Sequence, residues 1–420
     1  MDQGNTAFLL IMAALVLLMT PGLAFFYGGL VKAKSVISMM MLSFGAIGLI
    51  GVLWVLYGYA IAFPATDGLA PVWTIDWSEI GLSSLLEAPE GAAYPPLAFV
   101  AFQATFAIIT VALVSGAIAD RAKFGAWMVF AAVWATIVYF PVASWVFNFG
   151  LAEDGSFAYG GWITYGMQEF FGVGALDFAG GTAVHINAGA AALALALVLG
   201  KRVGFSKGAH VPHNPPFVLL GAGLLWFGWF GFNAGSELAA DGTAALAWIN
   251  TLAAPAAALL AWLVVEKIKD GKPTSVGAAS GAVAGLVAIT PACAFLTPGW
   301  AIVLGLLAGA ICALAVDLKF RWGFDDSLDV VGIHLVGGLI GTLYLGFFAN
   351  TTGLIYSGNL TQLLVQAIAA FSVLIYSFVL AYVIGFIIQK TMGFRVKNED
   401  EIAGIDTVVH GEDAYKLETV

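Results

Sequence analysis

Two stretches decide the fold: LDFAGGTAVHINAG at residues 176–189 and DDSLDVVGIHLVGG at residues 325–338. In each, an aspartate precedes a histidine by eight residues, Asp177 to His185 and Asp326 to His334, inside an apolar, glycine-rich run. Each aspartate reads as a helix N-cap, where a carboxylate satisfies orphan N–H groups and meets the positive end of the helix dipole. At 1.5 Å per residue, eight residues carry each histidine about 12 Å down its helix. If the two helices enter a bilayer from opposite faces, both histidines arrive near its midplane.

The flanking sequence supplies that bilayer. Of 420 residues, 61% are hydrophobic and only 10% are charged, with a mean hydropathy of +0.94, against about 25% charged for an ordinary soluble domain. A soluble globular protein is excluded. Apolar stretches punctuated by Gly, Pro or charge predict eleven helices, at 7–31, 37–63, 96–119, 124–149, 177–200, 216–238, 243–266, 275–295, 298–317, 328–349 and 360–390. They are too long and too continuously apolar for the alternating strands of about 10 residues in a membrane barrel. Residues 1–390 therefore read as one all-α membrane domain, and residues 391–420 as a polar C-terminal tail. The start, MDQGNTAFLL, lacks the basic n-region and cleavage site of a signal peptide, so the first apolar segment is expected to be a true helix.

Orientation follows from the basic residues. All 16 Lys and Arg fall in alternate connections: Lys32 and Lys34, Arg121 and Lys123, the loop of Lys201, Arg202 and Lys207, then Lys267 to Lys272, Lys319 and Arg321, and the tail. The positive-inside rule makes these connections cytoplasmic, with the N-terminus outside and the C-terminus inside. The opposite loops hold acids without bases, among them Asp67, Asp76, Glu79, Glu87, Glu90, Glu153, Asp154, Glu169, Glu237 and Asp241. Such an outer face either concentrates small cations or merely avoids Lys and Arg. Five helices separate the two Asp–His stretches, so one enters from outside and the other from inside. That is the mark of an inverted repeat of helices 1–5 and 6–10, with the eleventh added.

Ionisable groups at midplane depth are costly and mark functional sites. His185 and His334 are the histidines of the spans, whereas His210, His213 and His410 lie in cytoplasmic segments. Either alone is readily satisfied by a backbone or hydroxyl group; their matched depth favours a pair. Two neutral imidazoles sharing a proton offer alternating donor and acceptor nitrogens, which suits a small polar molecule or a proton relay and suits a bare cation poorly. Phe106 lies about 15 Å below the outer end of the third helix. In WFGWFGFNAGSE (226–237), Phe232 and Ser236 share a face one turn apart. A hydroxyl above a ring is a place to accept an N–H and hold a cation on a π face. Net charge of −10 and the lack of a long basic run exclude nucleic acid. Cys293 and Cys312 show no metal or redox spacing, so neither a metal nor another cofactor is expected. No catalytic constellation sits at a common depth, which argues against an enzyme.

With these residues assembled, the chain resembles the ammonium transporter family, the Amt, Mep and Rh group. The match points include FFYGGLV (25–31), FQATFAIITVALVSGAIADR (102–121), ALDFAGGTAVHINAG (175–189), WFGFNAGS (229–236), DDSLDVVGIHLVGG (325–338) and GIDTVVHGEDAY (404–415). The last favours the bacterial, archaeal and plant-type branch over the Rh branch. The resemblance implies an outer ammonium site of Ser236, Phe106 and an aromatic of the fourth helix, with Asp177 behind it. It also implies a gate of Phe106 stacked on Phe232, and His185 with His334 as a twin-histidine pore. Where many members have a tryptophan near the end of the fourth helix, this chain reads PVASWVFNFG (141–150), so Phe147 and Trp145 both qualify as the capping ring. The implied function is recruitment of ammonium at the outer mouth, loss of its proton and conduction of ammonia, with or without net charge transfer. A gas channel of the Rh type and an ammonium sensor are the competing readings; Ser236 and the tail argue against the first, and no signalling domain is appended within this sequence. A homotrimer in the cell membrane, and a PII-type regulator at the cytoplasmic face, are the implied partners. The tail is expected to rest on the Lys201, Arg202 and Lys207 loop through exposed ion pairs, each worth about 0–1 kcal/mol.

Overall fold

The computed structural model describes residues 1–152, 156–205 and 211–415. Glu153, Asp154, Lys207, His210 and Lys416 lie outside the described residues. Among the described residues ten helices are long and apolar enough to cross a membrane, which makes this a multi-pass membrane protein. In chain order, α1 is Gln3–Leu30, α2 Val36–Ala62, α3 Pro96–Ile118, α4 Phe124–Phe147 and α5 Gly181–Leu199. They are followed by α6 Pro215–Glu237, α7 Gly242–Lys269, a shorter α8 Ser275–Ile289, α9 Pro298–Trp322, α10 Val331–Phe348 and α11 Thr361–Thr391. The 275–295 expectation is thus cut short at Ile289. Pro291 has no N–H to continue the ladder, and residues 290–296 run on as turns.

Packing sorts the helices by depth in the bundle. Across the most apolar window of α5, 83% of residues are buried, against 33% for α11, whose Phe371 and Ile375 face outward. The centre therefore belongs to α5 and α3, at 83% and 78%, with α4 and α10 next at 67% each. Without a hydrophobic drive between helices in lipid, close approach rests on small residues. A Cβ at Gly221 of α6 would lie 2.2 Å from the Phe26 backbone nitrogen of α1, and one at Gly305 of α9 would lie 2.1 Å from the Ala254 carbonyl of α7. These contacts give part of the chain's 51 glycines a packing role. Between α4 and α5, a two-stranded antiparallel hairpin, β1 Phe149–Leu151 and β2 Phe157–Gly160, leads into a short helical turn ending at Phe171.

The tail is bound by buried groups, which corrects the expectation of exposed ion pairs. A short helix α12, Asn398–Ala403, brings Glu401 to 1% exposure, where it accepts from the Val203 N–H (2.6 Å) and pairs with Arg395 (2.7 Å). The Arg395 guanidinium also donates to the Leu199 carbonyl at the end of α5. Further on, the Asp406 carboxylate accepts the Ile37 and Ser38 N–H groups and caps α2 from a distant part of the chain. The Tyr415 hydroxyl lies 2.9 Å from His213 Nε2. Beneath the tail, Arg202 forks onto Asp325 (2.9 and 3.0 Å) and reaches Asp120 (3.1 Å). Buried Arg121 donates to the Asp325 carbonyl and the Ser327 hydroxyl. Burial alone would raise the Asp325 carboxyl, but the hydrogen bonds and charge of Arg202, with Arg121, hold it below the ordinary carboxylate value. Hydrogen bonds to charged groups contribute about 1.5–3 kcal/mol each, so this face is more firmly held than surface pairs would make it.

Candidate functional site

The Asp–His stretches fold alike, and in a way that spacing alone does not reveal. α5 opens with a π-helical turn, Gly181–Ile186, and α10 opens with another, Val331–Leu335; each holds its histidine. A π turn fits one extra residue into the helix and shifts every later side chain around the axis. Asp177 therefore caps from four residues before the helix, with its carboxylate accepting the N–H groups of Gly180, Gly181, Thr182 and Ala183 at 2.6–3.1 Å. The chain can turn back this tightly because Gly180 sits at φ 113°, where a side chain would also strike Val184. Asp326 likewise accepts the Val331 N–H at 2.7 Å from five residues upstream.

The two histidines meet. Nδ1 of His334 and Nδ1 of His185 are 3.2 Å apart, with the rings tilted by 24°. One of these nitrogens must carry the shared proton and the other accept it. Among the described residues His185 Nε2 has no hydrogen-bond partner. Trp229 stacks on His185 at 5.5 Å and fixes its own indole N–H on the Thr290 hydroxyl. Sequence reasoning missed Trp229, although Trp229, Phe232 and Ser236 fall on one face of α6 at helical spacing. The void beside the pair measures about 10 Å³ and is walled by Phe232, Trp229, Phe26 and Leu113 as well as both histidines. A space of about 10–15 Å³ by this measure holds one water-sized molecule.

Phe232, which lines this void, stacks on Phe106 at 4.1 Å and 15°. Both are buried, Phe106 at 0% exposure and Phe232 at 1%. Phe147 stands edge-on to Phe106 at 6.1 Å. Trp145 faces elsewhere: its indole N–H donates to the Val72 carbonyl, and its ring packs on Tyr376 at 4.7 Å and on Trp162. Two positions along a helix differ by about 200°, so one ring meets Phe106 and the other meets α11. One turn beyond Phe232, the Ser236 hydroxyl donates to the Phe232 carbonyl at 2.8 Å, which leaves its oxygen free to accept. Ser236 and Asp177 both line a cavity of about 630 Å³. The two spaces differ in scale: the cavity has room for many waters, and the void beside the histidines has room for one.

Among the described residues no group of three or more His, Cys, Asp or Glu is placed to hold a metal ion.

The likeness to known proteins runs almost the whole length of the chain. Residues 7–415 match the model of the Ammonium Transporter Family. An ammonium transporter of Mycobacterium tuberculosis (strain ATCC 25618 / H37Rv) is 52% identical over 441 residues, covering 99% of this chain and 90% of that protein. One from Bacillus subtilis (strain 168) is 43% identical, covering 99% of both. Among solved structures, a sensor Amt protein superposes with a TM-score of 0.85 at 28% identity, covering 97% of this chain and 98% of that one. Saccharomyces cerevisiae Mep2 gives 0.83 at 32% identity, covering 100% and 92%. The chain belongs to the ammonium transporter family, a family of transporters and not of enzymes.

Proposed function

We propose that this protein takes up ammonium at the Ser236 end, strips its proton there, and passes ammonia between Phe106 and Phe232 to the His185–His334 pair. The observation that carries this reading is a one-molecule void whose wall holds two imidazoles and Phe232, the last stacked on the equally buried Phe106. An ammonium ion entering that void would exchange its whole hydration shell for apolar walls and one or two imidazole nitrogens. Burying an unpaired charge in this way costs far more than burying a hydrogen-bonded neutral molecule. Ammonia has one lone pair and three N–H groups, which match a donor–acceptor lining. The step is NH₄⁺ to NH₃ plus H⁺, and the proton leaves either to water on the Ser236 side or through the histidine pair. In the proposed site the Ser236 oxygen accepts an N–H while Phe106 and Phe147 offer π faces, with Asp177 behind. Phe147 is the proposed capping ring, because it is the one that faces Phe106.

On this reading α8 is the eleventh span. Its 15 residues cover about 22 Å, and the buried turns after it reach the surface inside the protein, where non-helical backbone is tolerated. Helices α1–α5 and α6–α10 form the inverted repeat; α1 packing on α6, and α5 on the start of α10, support it. The Ser236 end is outside, and the basic end with the tail is cytoplasmic, so the N-terminus is outside. A homotrimer in the cell membrane and a PII-type regulator at the tail end follow from the family resemblance. Electrical recording of purified protein in proteoliposomes under an inward ammonium gradient tests the function and reads its net charge. A flux of ammonium or methylammonium that empty vesicles match would defeat it.

A further inference from the structure

His185 is held by rings as well as by its partner, and the hold can be traced outward. The Nδ1–Nδ1 contact with His334 fixes one atom of the imidazole and leaves its plane to other neighbours. Trp229 supplies the plane, stacked on His185 at 5.5 Å and 19°, with Phe232 tilted against the same ring at 6.0 Å. Among the described residues His334 packs on no ring but that of His185. The orientation of the pair is therefore set on the His185 side.

Trp229 in turn has a single polar handle, because an indole can only donate. Its N–H donates to the Thr290 hydroxyl at 2.9 Å, and both residues are buried. That hydroxyl spends its own proton on the Leu286 carbonyl at 2.7 Å, which leaves the oxygen aimed at the indole. Thr290 directly follows α8, where Pro291 stops the helix, and the same corner grips the other side of His185. The Pro291 carbonyl accepts the Phe178 N–H at 3.1 Å. A Cβ at Gly181, the first residue of the π turn that carries His185, would lie 2.5 Å from the Pro291 ring. Two successive residues thus brace Trp229 and the start of α5 together. Filling space alone would be served by valine, which has the shape of threonine and no hydroxyl.

We propose that Thr290 is a positioning residue for transport: it locks Trp229, and through Trp229 the plane of His185 and its contact with His334. The proposal rests on the reading that the histidine pair lines the path. Thr290 does not line the void, whereas Trp229 does, so its effect on a passing molecule runs through the indole. A positioned group displaced by about 1 Å can cost up to about 100-fold in rate. Recruitment at Ser236 does not use this bond, so the rate of passage changes and the affinity at the mouth does not.

The test uses the intact protein in proteoliposomes with labelled methylammonium, each rate taken per folded protein as judged by size exclusion. Thr290→Val leaves the indole N–H without its acceptor and is expected to lower maximal uptake about fivefold, the scale of one net hydrogen bond, with half-saturation within about twofold. Thr290→Ser keeps the acceptor and should restore most of the maximal rate. Trp229→Phe keeps a ring and loses the N–H, so the same loss is expected there, and it carries the test should Thr290→Val fail to assemble. Because both variants break one bond, Thr290→Val added to Trp229→Phe should lower the rate by less than about twofold further. Unchanged maximal uptake in Thr290→Val or in Trp229→Phe, an equal loss in Thr290→Ser, or independent losses in the double variant overturns the positioning role. Uptake that His185→Ala leaves unaltered, with potassium still excluded, would instead defeat the reading on which the proposal rests.

Discussion

At the Ser236 end, Asp177 is taken up by backbone N–H groups and Glu237 has another acid, Asp241, as its charged neighbour; at the tail end, Asp120, Asp325 and Glu401 are each tied to a guanidinium. The same chemical group serves opposite purposes. Carboxylates left without a fixed cation keep an attractive field for a mobile one. Carboxylates bound to arginine lose that field, and hold loops and tail in one arrangement instead. Between the two ends lie stacked rings and a pair of imidazoles, with no carboxylate, Lys or Arg among the residues that line the void.

Breaking the tail end should show the largest effect. Asp325→Ala strips Arg202 of its two-pronged partner and leaves a buried guanidinium with Asp120 alone, at an expected cost of about 3–5 kcal/mol. Thermal unfolding in detergent reads this loss. Glu90→Gln, an exposed acid at the other end, should change stability by less than about 0.5 kcal/mol. Equal losses in the two variants would erase the contrast. The pH dependence has a definite sign. The Asp325 carboxyl is held low in the folded protein, so its pairing stabilises fully above the ordinary carboxylate value of about 3.9 and is lost as pH falls through its lowered value. Asp325→Asn should flatten that acid limb of the stability curve.

The two rings of PVASWVFNFG divide the same way on a smaller scale. Trp145→Ala removes a buried indole and should cost about 3–5 kcal/mol of stability with little change in apparent affinity per folded protein. Phe147→Ala should shift methylammonium half-saturation by about two- to fivefold, the scale of an exposed cation–π contact, and leave the melting temperature nearly unchanged. Ser236→Ala should weaken methylammonium by about 1 kcal/mol, the net value of one hydrogen bond. Concentration dependence of uptake by each variant separates a substrate contact from a packing role.

Much of this arrangement was legible before any coordinates. The apolar runs match the long helices to within a few residues, and equal Asp-to-His spacing pointed to two imidazoles at one depth, which the coordinates place 3.2 Å apart. What was hidden depends on tertiary context. The π turns at His185 and His334 rotate the side chains after them, so a regular helical wheel misplaces the neighbours. Trp145 and Phe147 are equally good rings until the facing of α4 is known. The tail reads as resting on the basic loop through exposed pairs, because Glu401 and Asp406 are polar by type. Their burial depends on N–H donors at Val203, Ile37 and Ser38, far away in the chain.

The central claim is that the neutral middle, and not either charged end, selects what passes. It is tested most directly by recording currents and uptake in proteoliposomes for His185→Ala and His334→Ala under matched ammonium and potassium gradients. The account predicts that each variant remains folded but either loses ammonium-driven transport or begins to admit potassium. Ammonium currents equal to those of the unaltered protein, with potassium still excluded in both variants, would contradict it.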